Sequence, residues 1–326
     1  MLLAALPAFG AVTGTVVNQT TGKPQAGATV ALNKLGQNGI ELVDQAKSDA
    51  QGHFAINQTP EGQTPYLIRA VYSGVSYNHM LPPGTPTTGI KVDVYDAWKQ
   101  PDAAKIAKHM LLFEPSGGQM TVSETYILQN AGKTAWNDPD QGTVHFFLPG
   151  GAGGKAQVQA TAPGGMPIGA GVLKTAKPDV FGVDFPVKPG ETRIDVTYSL
   201  PYTAGDPMAG KIPSKDENTY LIAPNGVTLQ GKGLNDLGVE PRTQAHIYGL
   251  AGTAYEIALT GAEAATPSEA AGGDQADSSG PGIEQIMPRV YGQAKWIVAI
   301  ALGILALGFA LLYRKPSKEA NERGRG

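Results

Sequence analysis

Residues 192–200 read TRIDVTYSL. Side chains of an extended chain alternate between two faces, so Ile194, Val196, Tyr198 and Leu200 share one side. Arg193, Asp195 and Thr197 take the other. An apolar face backed by a polar one specifies a strand half-buried against a core. The preceding KPGE at 188–191 is a turn that positions this strand. Outward from it, further strand candidates lie at 110–113, 120–128, 143–148, 180–187, 219–222, 244–250 and 255–259.

Short strands at this spacing place residues 109–261 in a β-sandwich that resembles the immunoglobulin-like architecture in general form. The N-terminal block, 11–95, has its own alternation. Ala28, Val30 and Leu32 oppose Thr29, Ala31 and Asn33, and Ile90, Val92 and Val94 oppose Gly89, Lys91 and Asp93. Residues 66–72 (YLIRAVY) are apolar on both faces except at Arg69, as a central strand requires. Turn chemistry separates these segments at Thr21-Gly22-Lys23-Pro24 and Asp49-Ala50-Gln51-Gly52. No stretch of this block carries a 3.6-residue period.

Gly14-Thr15-Val16, GKPQAGATV at 22–30 and SDAQGHF at 48–54 together resemble the carboxypeptidase regulatory-like domain family, with 66–72 and 92–95 in place of its later strands. The resemblance covers residues 11–95. It implies a transthyretin-like β-sandwich serving as an accessory or adhesion module. Its glycines and Asp49 are turn-makers, the motif carries no catalytic residue, and no zinc-peptidase domain accompanies it.

Composition narrows the function class. Gly and Pro number 43 and 25 of 326 residues, about a fifth of the chain, whereas ordinary usage is nearer 12%. Charged residues are 16%, but 41% apolar residues with 12 Tyr and 8 Phe suffice for packed cores. A net charge of −3 offers no field for a polyanion, which argues against a nucleic-acid partner. The absence of cysteine excludes disulfides, thiol nucleophiles, iron–sulfur clusters and Cys-ligated zinc.

Residues 296–313 read WIVAIALGILALGFALLY, eighteen residues without a charge. As a helix they span about 27 Å, enough for a hydrocarbon core. Their ten Leu, Ile, Val and Phe residues favour insertion by roughly 3–6 kcal/mol. Trp296 and Tyr313 stand at the two interfaces. Arg314, Lys315, Lys318, Arg323 and Arg325 follow the span, and only Arg289 and Lys295 closely precede it. Basic flanks stay inside, so the tail is cytoplasmic and the sandwiches lie beyond the membrane. Ala299/Gly303 and Ala306/Ala310 are small residues four apart that allow two such helices to approach, giving a homo-oligomer. At the other end MLLAALPAFG, residues 1–10, reads as a signal-peptide remnant without its basic region. Residues 266–282 (TPSEAAGGDQADSSGPG) read as a flexible stalk with a reach of about 20–25 Å.

Motifs for chemistry are few. His53, His79, His109, His145 and His246 are all more than five residues apart, so no HExxH or similar metal motif occurs. PGGAGGK at 149–155 lacks the first Gly and the final Ser/Thr of a phosphate loop, and GKGLND at 231–236 fails the dinucleotide pattern. No GxSxG elbow is present. Catalytic, cofactor and metal residues are therefore assigned to none. Candidate ligand-binding residues are Trp136, Asp138 and Asp140: an indole that could stack on a sugar, beside two carboxylates that could converge on calcium. Asp216-Glu217 is a second acidic pair, and NQT at 18–20 and 57–59 matches the glycosylation sequon.

The fold class expected is all-β: two tandem β-sandwich domains plus one C-terminal transmembrane α-helix. In order come the leader (1–10), the first sandwich (11–95), a connector with one helical turn (96–108) and the second sandwich (109–261). Stalk and juxtamembrane segment (262–294), span (295–313) and basic tail (314–326) follow. The function expected is a single-pass, membrane-anchored protein of a bacterial cell envelope, with a non-enzymatic binding or assembly role. Its partners would be the lipid bilayer and an envelope protein or glycan, with no cofactor. Two alternatives are a carbohydrate-binding envelope module and a hydrolase with a carboxylate site in the second sandwich.

Overall fold

A computed structural model of the chain describes residues 12–36, 39–214 and 218–261. The leader, the Asp216-Glu217 pair, the stalk, the span with Ala299, Gly303, Ala306 and Ala310, and the tail lie outside the described residues. Among the described residues no helix is long and apolar enough to cross a membrane.

The described chain is all-β, with one 3₁₀ turn at Gly150–Ala152. Two sheets enclose the N-terminal core. In one, Val12–Asn18 pairs antiparallel with His53–Ile56 and parallel with Ile90–Val94. The other runs Gly39–Lys47, Thr29–Gly36, Tyr66–Tyr72, Val75–Leu81, all antiparallel. Tyr66–Tyr72 is an interior strand, with Tyr66, Ile68 and Ala70 buried on its core face and Leu67 buried on the other, where Arg69 and Val71 are exposed. Val12, Val16, Phe54, Ile56, Val92 and Val94 meet Val30, Leu32, Ile68, Ala70 and Tyr77 in a single buried cluster. Gly14 must be glycine: a Cβ there would lie 2.1 Å from the Ile90 carbonyl oxygen and 2.6 Å from the Phe54 ring. The third strand of this sheet could not then pair so closely.

The C-terminal core is covered on one side by an eight-stranded sheet. Its order is Ile168–Gly169, Gln157–Thr161, Gly190–Pro201, Gln119–Asn130, Ala104–Ser116, Thr219–Ala223, His246–Leu250, Leu234–Val239. Two three-stranded sheets supply the remaining wall: Val144–Phe147, Val180–Asp184, Gly171–Lys174, and Met208–Lys211, Ala254–Thr260, Thr228–Gly231. In Gly190–Pro201 the residues Ile194, Val196 and Tyr198 are buried and their alternates are not, as the period of two requires. Residues 104–108, expected as connector with a helical turn, instead begin the thirteen-residue strand Ala104–Ser116. Register explains this: Ala104–Ile106 pairs with Leu128–Asn130, so backbone groups that a helix would satisfy internally are satisfied by the neighbouring strand.

Both cores belong to one compact unit, and a polar joint links them. A short parallel ladder aligns Ala97 with Ala135 and Trp98 with Trp136. The Asp96 carboxylate accepts from Asn18 Nδ2 at 2.7 Å and from the Tyr72 hydroxyl at 3.0 Å. The Ala135 N–H donates to the Asp96 carbonyl at 2.8 Å. Lys188 donates to the Ser76 carbonyl and lies 5.1 Å from the Tyr77 ring centroid.

Candidate binding groove

Register across three neighbouring strands sets Leu112 opposite Ile222 and Ile222 opposite Ile247. Their chain neighbours Leu111, Leu221 and Tyr248 are buried in the core. The three aliphatics therefore point to the outer face of the sheet, where each remains half-buried. A groove of about 550 Å³ opens over this row. With strands roughly 4.8 Å apart, the row is about 10 Å long. Glu114 and Asn225 stand at its rim, both exposed, and among the described residues neither side chain has a partner.

The far wall is the loop from Glu240 to Ala245, which is held by its own bonds. Glu240 N–H donates to the Ala245 carbonyl at 2.9 Å and Gln244 N–H to the Glu240 carbonyl at 2.8 Å. The Glu240 carboxylate accepts from the Thr243 hydroxyl and Thr243 N–H, both at 2.6 Å, and from Arg242 N–H at 3.1 Å. Those donors, the Thr243 side chain first, hold the Glu240 carboxyl below the usual carboxylate range. Gln244 sits at φ +58°, a left-handed conformation kept by this bonding and by its side-chain amide on the Pro241 carbonyl at 2.7 Å. The wall is thus formed before anything binds. Chemically, the groove offers an aliphatic floor lined by one carboxylate (Glu114), one carboxamide (Asn225) and one guanidinium (Arg242) whose side chains have no hydrogen-bonded partner among the described residues.

The sequence does carry a signal for this groove. MLLF at 110–113 and YLIA at 220–223 are apolar on both faces, and each supplies an outward aliphatic that its core does not need.

The residues singled out from sequence take other positions. The Trp136 indole N–H donates to the Lys99 carbonyl at 3.0 Å, and its half-buried ring packs on the C-terminal core. Asp138 Oδ1 accepts from the N–H groups of Asp140 and Gln141 at 3.0 and 3.1 Å, closing a turn. Asp140 Oδ2 lies 2.5 Å from Lys99 Nζ. The two carboxylates are thus each engaged by protein donors, and among the described residues no group of three or more His, Cys, Asp or Glu is placed to hold a metal. Trp98, 52% exposed, is the more accessible of the two paired indoles.

A polar cluster that sequence reading overlooked lies within the C-terminal core. Glu124 is 3% exposed and His109 fully buried. Glu124 Oε2 accepts from the Tyr126 hydroxyl at 2.7 Å and faces His109 Nε2 at 3.4 Å. Its Oε1 accepts from the Tyr198 hydroxyl at 3.1 Å. The His109 and Tyr126 rings stack at 4.0 Å. Burial, then the Glu124 charge, pushes the Tyr198 phenol far up, and the same two causes raise Tyr255. With no open face, this cluster ties the large sheet to the Ala254–Thr260 strand through Tyr255 and does not meet the groove.

No protein-family model and no curated protein matches the chain. Among solved structures, it is similar at 11% identity and a TM-score of 0.27 to two structures of an M1 zinc metallopeptidase mutant from Deinococcus radiodurans, one of them bound to a Tyr-Ser-Ala substrate. Each match covers 48% of this chain and 42% of the other, so the chain spans less than half of the protein it is aligned with.

Proposed function

We propose that this chain is a single-pass, membrane-anchored cell-envelope protein that binds a partner through its β-sandwiches and carries out no chemistry on it. The sandwich of residues 11–95 serves as a carboxypeptidase regulatory-like adhesion module, and the sandwich of residues 109–261 presents the binding site. The outer-face groove is the observation that carries the reading. An outward row of Leu112, Ile222 and Ile247 is costly to leave in water, and covering each half-exposed aliphatic is worth on the order of 1 kcal/mol. A pre-formed wall lowers the ordering cost of binding. The charge-free span at 296–313 keeps the groove near the membrane on the extracytoplasmic side.

The test compares membranes bearing the natural chain with membranes bearing Ala245→Trp, which fills the groove. After crosslinking, the natural chain should recover a reproducible partner that Ala245→Trp loses, and both should stay with the bilayer through alkaline carbonate. Equal recovery by the two chains would remove the groove from the binding role, and release by carbonate would remove the anchor.

A further inference from the structure

The geometry points to an extended peptide segment of a partner protein as the occupant of the groove, with aliphatic side chains on the floor and a lysine or arginine at Glu114. This rests on the binding reading above and adds the chemistry of what is bound. Four features select it. The floor is about 10 Å long, which matches roughly three residues of extended chain at about 3.3 Å each. Glu114 is two residues beyond Leu112, exposed and without a partner among the described residues, so the uncompensated charge at that end is negative. At the other end the Glu240 carboxylate accepts from Thr243 and from the Arg242 backbone N–H, and the Arg242 guanidinium brings the opposite charge to the same loop, so the charges there sum to zero and the lining as a whole keeps the one negative charge of Glu114. Asn225 completes the match: its carboxamide donates and accepts like a peptide group, and it is unpaired at the rim.

The neighbouring sheet edge does not compete for this segment. Leu234–Val239 is the last strand of the sheet, but its register slips between Asp236 and Gly238. Such a bulge blunts an edge against strand addition and leaves the face of the sheet as the place to bind. An acyl chain would use the floor and leave Glu114 and Asn225 unanswered. A glycan would use the rim and leave the floor wet.

The experiment titrates the full-length chain in nanodiscs with two fluorescein-labelled, end-blocked peptides, one containing Lys-Val-Ile-Val and the other Glu-Val-Ile-Val, read by anisotropy at low salt. The lysine peptide should bind about fivefold tighter, the size of one partly screened ion pair. Glu114→Lys should invert the order, and Glu114→Gln should abolish the difference while leaving both affinities measurable. Asn225→Ala should weaken both peptides alike. Glu114 and Asn225 are exposed, so these variants keep the core intact. Equal binding of the two peptides, or a preference that survives Glu114→Lys, overturns the proposal. So does binding of laurate or an oligosaccharide where neither peptide binds. If the peptides fail while Ala245→Trp still loses its crosslinked partner, the binding reading stands and the peptide assignment falls; if both fail, both fall.

Discussion

Glu124 divides its two oxygens among Tyr126, Tyr198 and His109 at the centre of the larger core. Removing an acceptor from buried donors costs far more than removing the donors together with it. Glu124→Ala should therefore lower stability by about 3–5 kcal/mol, seen as a shift of the urea midpoint, whereas Tyr198→Phe should cost about 1–2 kcal/mol. Burial keeps the Tyr198 and Tyr255 phenols neutral, so absorbance near 295 nm should not report their ionisation until the chain unfolds in base. Lys188 is the contrasting case. Partial burial in the joint pulls its ammonium down to about 8, against about 10.4 in an unfolded chain. Between those values the unfolded chain holds a proton that the folded chain has lost, so stability rises with pH across that window. Below it, the folded state carries the full cost of the buried charge, roughly 3 kcal/mol at most, offset by the Tyr77 ring and the Ser76 carbonyl. Lys188→Met should raise the melting temperature near pH 7 and lose that advantage by about pH 10. A constant difference at every pH would contradict the assigned cause.

Among the elements, the loop from Glu240 to Ala245 decides whether the groove exists before its occupant arrives. Glu240→Ala removes the acceptor of two backbone N–H groups and one hydroxyl. Amide exchange at Arg242 and Thr243 should quicken by tenfold or more, with the strand Ala104–Ser116 unaffected. The same loosening should appear as acid neutralises the natural side chain. Its carboxyl titrates below the usual range, so the bonding persists above that lowered value and is lost as pH falls through it. TRIDVTYSL was legible because one face of Gly190–Pro201 is buried and the other is not. Gly39–Lys47 was not, since it is an edge strand exposed along most of its length and nothing imposes alternation on it. Ala104–Ser116 was half read: LLF spoke for a strand, but AAKIAK reads as a connector until its partner strand is known. The groove needed register. Leu112, Ile222 and Ile247 are 110 and 25 residues apart in sequence order and become neighbours only through strand pairing. Trp136 and Asp138 drew attention by residue type, and their bonds to the Lys99 carbonyl and to a local turn could not be seen in a linear pattern.

For the whole molecule, the two cores share a joint in which the Asp96 carbonyl, Lys188 and the Ala97–Trp98 ladder bind one body to the other. Through that joint, an adhesive first sandwich would hold the second in a defined place, and the groove would face its partner from a fixed support. The absence of cysteine from the chain makes the direct measurement clean. A single cysteine at Asn225, carrying a benzophenone, reports on whatever enters the groove; one at Gln157, exposed near the opposite end of the same sheet, reports on its general surroundings. Illumination of intact membranes should give a discrete protein adduct from position 225 and none from position 157. Adducts of the same pattern from both positions, or lipid as the sole product at 225, would contradict the claim that this groove is where the protein binds.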